Sequence, residues 1–254
     1  GPSGSGKSSV VKAGVISALR KGALPGSDNW FIIEMTPKSN PFDELEAALL
    51  SIAAHHPSDI IKQLEKDDNG LTRVVDAILA EDDVLVLVID QFEEVFTLVD
   101  SPQQTKRFLQ MILDAVTTPQ SRIRIIVPLR ADFYDRPLMH PDFCDLVSER
   151  TEVVSPLTPG ELERAISAPL ARISVNLEPE LIPTIVAELK EQPGTLPMLQ
   201  YALTELFERR DGQTITMAAY NEIGGIMGAL TRRSDQLYEN LNDNQQETVR
   251  QLFL

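Results

Sequence analysis

Cysteine, basic charge and long apolar runs are all scarce in this chain of 254 residues, and each scarcity narrows what it can do. The single cysteine, Cys144, has no partner for an internal disulfide, and no CxxC or His/Cys cluster offers zinc ligands. Cys144 reads as a small buried apolar side chain, and its solitude fits a reducing compartment, so a cytoplasmic location is expected. Lysine and arginine number 23 against 38 acidic residues. The resulting formal charge of −15 repels a phosphate backbone, which disfavours nonspecific nucleic-acid binding and adhesion to anionic lipid. No apolar run approaches the roughly 20 residues of a membrane span; the best, Val84 to Ile89, stops at Asp90. Triad hydrolases are disfavoured by the lack of a G-x-S-x-G elbow and of a nucleophile context around Cys144. His55, His56 and His140 lack ligand-like spacing and read as surface or packing residues. There is no internal repeat and no low-complexity tract.

What is present begins at the first residue. Gly1-Pro2-Ser3-Gly4-Ser5-Gly6-Lys7-Ser8 is a complete G-x-x-x-x-G-K-[ST] phosphate-binding loop. Its glycines permit positive φ, so backbone N–H groups can converge on a triphosphate while Lys7 reaches the β- and γ-phosphates. Ser8 is the expected Mg²⁺ ligand through its hydroxyl. Ser9 and the apolar Val10, Val11, Val15, Ile16 and Leu19 read as a helix whose positive N-terminal end faces the phosphates, closed by Lys21 and Gly22. The nucleotide candidates are therefore Gly1, Ser3, Gly4, Ser5, Gly6, Lys7, Ser8 and Ser9. Such a loop normally follows a buried parallel strand, which would lie before Gly1.

Downstream, strands and helices alternate. Trp30 to Met35 is β-rich, and a helix follows from Pro41 with Leu45, Ala48, Leu49 and Ile52 on one face. A second helix runs from Leu71 to Leu79. Val84 to Ile89 is continuously apolar, as a strand covered on both faces should be, and ends at Asp90. A helix carrying Phe108, Met111, Ile112 and Ala115 leads to a strand from Ile123 to Leu129, ending at Arg130. A short strand is expected over Thr151 to Val154. The pattern predicts an α/β fold with a parallel doubly wound sheet, in which the loop, Asp90 to Glu94 and Arg130 share the carboxyl edge.

Beyond Pro156 the pattern is helical. Thr158-Pro159-Gly160-Glu161 starts a helix that Pro169 should kink or end. Further helices are expected over Leu177 to Leu189, from Pro197 to a stop at Gly212, and from about Met217 through Ala229 to Leu241. Asn244 and Glu247 form a possible capping box for a last helix.

Triphosphate chemistry with Mg²⁺ needs a carboxylate at a strand end and a second group to orient the attacking water. Asp90 suits the first role. Glu93 and Glu94 are candidates for the second, beside Gln91; residues two apart on an extended exit share a side, which favours Glu93. An acidic helix start stabilised by the macrodipole explains the same pair without catalysis. Arg130 stands where a γ-phosphate sensor would, and a salt bridge to Asp132 or Asp135 is the competing account.

With these motifs placed, the chain resembles the STAND class of P-loop NTPases, and more narrowly the novel STAND NTPase group found mainly in bacterial multidomain signalling proteins. GPSGSGKSS followed by VVKAGVISAL looks like the nucleotide loop of that group, VLVLVIDQFEEVF like its acidic strand motif, and IIVPLRADFYDR like its strand ending in arginine. LTPGELERAI is similar to the start of its helical lid, GTLPMLQYALTELF to its Gly/Pro signature, and NDNQQETVRQLFL to the opening of a winged helix. The resemblance implies strand order 5-1-4-3-2 and a helical lid in which Pro197 lies against the base. It also implies a switch in which ADP holds the lid closed and ATP permits oligomerisation that activates a fused effector. Sensory WD40 or TPR repeats often accompany the core in such proteins.

Two features depart from the wider class. Gln91 stands where a second acid is common, and an amide cannot act as a general base, so hydrolysis should be slow or depend on Glu93 or Glu94. The signature Gly194-Thr195-Leu196-Pro197 is one residue longer than G-x-P. The expected division is an α/β core over 1–156, a helical lid over 157–212, and linker helices with the start of a winged helix over 213–254. The expected function is an ATP/ADP-binding signalling switch with slow Mg²⁺-dependent hydrolysis, working as a homo-oligomer with fused domains. A nucleotide-held scaffold without turnover is the alternative. A small-molecule kinase would want a lid richer in arginine than Arg164 and Arg172 provide, and the acidic charge argues against a motor tracking DNA.

Overall fold

Five consecutive apolar residues such as Leu85–Ile89 avoid water only between two strands and two covered faces. In the computed structural model of the chain, which describes residues 1–53, 59–190, 194 and 196–253, they have that position. The strands β1 (Phe31–Met35), β2 (Leu85–Ile89) and β3 (Ile123–Ile126) form a parallel sheet in the order β1-β2-β3, with Met35 opposite Ile89 and Leu85 opposite Ile123. His55 and His56 lie outside the described residues.

Alternation along β2 sends side chains to opposite faces. Leu85, Leu87 and Ile89 join the larger core, built with the helices Pro41–Leu50, Gly70–Ile78 and Pro102–Thr117. There Phe42 and Phe108 meet edge to face at 5.6 Å, and Leu45 and Leu49 are fully buried. Burial at this level stabilises the fold by about 1.5–3 kcal/mol per large side chain. Val86 and Val88 face the other way, onto Ile16 and Leu19 of the helix that follows the phosphate loop. That helix continues from Lys7 to Leu19, with wider i→i+5 turns over Val10–Ile16.

The expected strand at Thr151–Val154 is absent. Thr151 is extended, with φ −90° and ψ 124°, yet the segment has no ladder partner, and a strand exists only through one. It passes close to Gly1, whose added Cβ would stand 2.3 Å from the Val154 carbonyl oxygen.

Contacts divide the chain into two units, Gly1–Val154 and Ser155–Leu254. The second has its own core of Leu162, Ile166, Leu181, Ile185, Leu199, Ala202, Leu206 and Tyr220 among others. Its first helix, Pro159–Arg172, opens on a full capping box between Thr158 and Glu161. Pro169 does not end this helix, which continues to Arg172; it removes one donor, that facing Ala165, while the cap and the burial of Leu162 and Ile166 hold the rest. The next helix begins at Leu181 rather than Leu177, because Asn176–Leu177 (β4) pairs in parallel with Thr214–Ile215 (β5). Helix Leu196–Glu208 ends before Gly212, which instead turns the chain into β5 at φ +57°.

The helix expected from Met217 to Leu241 is two, Met217–Ile223 and Gly225–Glu239, because Gly224 and Gly225 both adopt left-handed φ, at +74° and +72°. The last cap uses Asn242 and Gln245 rather than Asn244 and Glu247: each backbone N–H donates to the other side chain, at 3.1 and 3.0 Å.

The broken joint is secured by Glu188. Its carboxylate accepts from the backbone N–H of Ile226 and Met227, both at 3.2 Å, and from the Tyr220 hydroxyl. Burial first, and then the Glu188 bond, push the Tyr220 hydroxyl above its ordinary range. Glu188→Ala orphans a buried hydroxyl and uncaps a helix, so urea denaturation should show a loss of about 2–4 kcal/mol. A raised folded pKa stabilises fully below the unfolded value and is lost as pH climbs, so the denaturation midpoint should fall above about pH 10, less so in Tyr220→Phe.

Candidate functional site

Gly4 and Gly6 adopt φ of +68° and +86°, which curls the loop back on itself before the helix starts at Lys7. The first N–H groups of that helix have no partner within it and carry partial positive charge. Opposite them, β2 ends at Asp90, whose N–H donates to Met35 O of β1 at 2.9 Å. The exits of β2 and β3 are joined where Phe92 N–H donates to Pro128 O at 3.3 Å. Sheet register thus fixes all three exits before any side chain acts.

A cleft forms there, lined by Ser3, Gly4, Lys7, Ser8, Asp90, Gln91, Glu93, Pro128 and Arg130. The Ser8 hydroxyl donates to Asp90 Oδ1 at 2.7 Å, joining the loop and acidic strand motifs, 82 residues apart in sequence. Gln91 N–H donates to the same oxygen at 3.0 Å, with Gln91 at φ +53°. Lys7 Nζ donates to the loop carbonyls of Gly1 and Pro2, at 2.9 and 2.7 Å. Burial pushes the Lys7 ammonium below its ordinary value, with Glu93 opposing the shift and Arg130 adding to it.

The two glutamates part company. Glu93 lines the cleft, and its Oε2 is buried without a hydrogen-bond partner. Glu94 instead accepts from Lys38 N–H at 2.9 Å and begins the short helix Glu94–Thr97, so it does not line the cleft. Arg130 lines the cleft and is also paired: its Nε donates to Asp132 Oδ1 at 3.1 Å, and its guanidinium lies 5.4 Å from the Phe133 ring centre. Among the other loop candidates, Gly1, Ser5, Gly6 and Ser9 do not line the cleft, and Ser9 is exposed. Ser5 is buried with its hydroxyl unpartnered. Pro197 belongs to the second unit, exposed near the start of its helix, and Gly194 has φ +81°; Thr195 between them lies outside the described residues.

Sequence reasoning missed Lys12. Its Nζ contacts Glu34 Oε2 of β1 at 2.8 Å and Asp90 Oδ2 at 3.3 Å, and the Glu34 hydrogen bond, with that to Asp90, raises its pKa. Its place four residues after Ser8, on the same helix face, was the available signal.

Hydroxyl and carboxylate oxygens at Ser8 and Asp90 are a suitable donor set for Mg²⁺, which takes few protein ligands alongside phosphate and water. No group of three or more His, Cys, Asp or Glu side chains placed to hold a metal ion occurs among the described residues. No helix among them is long and apolar enough to cross a membrane.

No match was found among curated proteins. Among solved structures, the chain is similar to the Orc1 protein of Aeropyrum pernix, determined in complex with DNA, at a TM-score of 0.59 and 16% identity. That likeness covers 96% of this chain and 62% of the Orc1 chain, so this chain spans less than two thirds of its neighbour. It supports the α/β fold with its parallel sheet. A family model described as Novel STAND NTPase 1 matches residues 1–254. The phosphate loop, the Ser8–Asp90 junction and this match describe a nucleotide-binding NTPase of the P-loop type, and the chain belongs to the Novel STAND NTPase 1 family.

Proposed function

We propose that the chain is an ATP/ADP-dependent signal-transduction switch that hydrolyses ATP slowly and uses its nucleotide state to control oligomerisation or a fused effector. The observation that carries this reading is the pairing of Ser8 with Asp90 in the same cleft as the unpartnered Glu93 Oε2. Ser8 and Asp90 would hold Mg²⁺, which when bound neutralises phosphate charge. Gly4 and the helix N-terminus at Lys7 and Ser8, in the loop that the positive φ of Gly6 helps to curl, cradle the phosphates, and Lys7 leaves its loop carbonyls for the β- and γ-phosphate oxygens. Glu93 accepts a proton from the attacking water as the new P–O bond forms; the β–γ bridging bond breaks and its electron pair leaves on ADP. Arg130, released from Asp132, senses the γ-phosphate. Residues 157–212 serve as a lid with Pro197 toward the base, and 213–254 as linker and the start of a winged helix, in a sheet of order 5-1-4-3-2. Partners are a second copy of the chain and fused effector or sensor domains, in a cytoplasmic setting. The Aeropyrum pernix Orc1 structure is a complex with DNA, but the formal charge of −15 disfavours direct DNA binding by this chain.

Gln91 favours a second reading, a nucleotide-held scaffold without turnover, because it places an amide next to Asp90 where a base would otherwise stand. Single-turnover ATP hydrolysis, with bound nucleotide identified after denaturation, separates the two. Copurified ADP with slow Mg²⁺-dependent turnover establishes the switch; bound nucleotide with no turnover establishes the scaffold.

A further inference from the structure

Asp90 is engaged on both oxygens by the chain's own donors. Oδ1 accepts from Ser8 and from Gln91 N–H, and Oδ2 faces the Lys12 ammonium at 3.3 Å. Ser8 and Lys12 lie one helical turn apart, so a single helix face delivers a hydroxyl and a cation to the two oxygens of one carboxylate. Lys12 has a second and shorter contact, 2.8 Å to Glu34 Oε2, on the neighbouring strand. The Lys12 side chain is 46% exposed and that of Asp90 12%, so the ammonium can shift fully to Glu34 without leaving water, whereas among the described residues the ion pair that Asp90 makes is with Lys12. Lys12 does not line the cleft and acts on it only through Asp90.

We infer that Lys12 is an internal counter-ion that competes with the divalent cation for Asp90 and so sets the Mg²⁺ concentration the site requires. The inference rests on the nucleotide-site reading above. Lys12 is a positioning residue: it holds the Asp90 carboxylate in place when no divalent cation is bound and yields to Glu34 when one arrives. Its removal should strengthen metal binding, a direction that a merely structural loss does not produce.

The test is Mn²⁺ binding, followed by electron paramagnetic resonance on the full chain with ADP, together with ADP affinity measured in EDTA. Lys12→Met, or Lys12→Gln where the methionine variant folds poorly, should lower the half-saturating Mn²⁺ concentration about fivefold, the range of a partly exposed ion pair. Lys12→Arg should return it to the wild-type value. ADP affinity in EDTA should be the same in all variants. An unchanged or higher Mn²⁺ midpoint in Lys12→Met, with ADP affinity in EDTA intact, overturns the inference alone. Failure of the wild-type protein to bind ADP in either condition overturns the nucleotide-site reading and the inference with it.

Discussion

Glu93→Gln is expected to lower the single-turnover rate of ATP hydrolysis by about 10²–10⁴-fold while leaving nucleotide bound. The amide keeps the shape of the side chain but cannot take a proton from water, and among the described residues Glu93 supplies the cleft's unpartnered carboxylate oxygen. Asp90 is already engaged by Ser8, Gln91 and Lys12, so it is poorly placed to substitute. Glu94→Gln is the control. Its carboxylate is tied to Lys38 N–H outside the cleft, so the rate should change little. Equal loss of rate in both variants, or no loss in Glu93→Gln, would exclude Glu93 as the base.

Lys7→Ala should weaken ATP binding about 100-fold, the cost of losing charge-assisted hydrogen bonds to two phosphates. The substitution also frees the carbonyls of Gly1 and Pro2, which Lys7 occupies in the structure, so part of the loss comes from a loop that no longer keeps its curl. Lys7→Arg separates the two contributions. Arginine retains the charge but its planar fork does not fit the same carbonyl pair, so recovered affinity without recovered loop order would assign the loss to phosphate contacts. Isothermal titration with ATP reads the affinity directly. An affinity in Lys7→Ala equal to that of the wild type would rule out the loop as the phosphate site.

The features legible in the sequence were those that local chemistry fixes. Continuous apolar strands announced β2, and the glycine and lysine spacing announced the loop, because each depends on neighbours within ten residues. Strand alternation favours Glu93 over Glu94, and Glu93 lies in the cleft, but the exit from β2 is a turn with Gln91 at φ +53° and Glu93 in helical conformation, not the extended backbone that alternation assumes. What escaped notice depends on partners far along the chain. Lys12 gains its place only when β1 and β2 set Glu34 and Asp90 side by side, and Glu188 only when Tyr220 and the Gly225–Glu239 helix fold against it. Thr151–Val154 has strand-forming residues but no ladder, since pairing is a property of two segments. The apolar pattern from Met217 to Leu241 conceals the break at Gly224–Gly225, because a glycine pair punctuates a helix more strongly than periodicity sustains it.

The two loop carbonyls that hold Lys7 have a kinetic consequence. Because the ammonium is already satisfied, the loop keeps its curvature before any phosphate arrives, and arrival exchanges hydrogen bonds instead of ordering a chain segment. Association then follows the pace of encounter with a preformed site. In the switch proposed above, discrimination between ATP and ADP would then fall on how long each stays, and the lifetime of the bound nucleotide would set its timing.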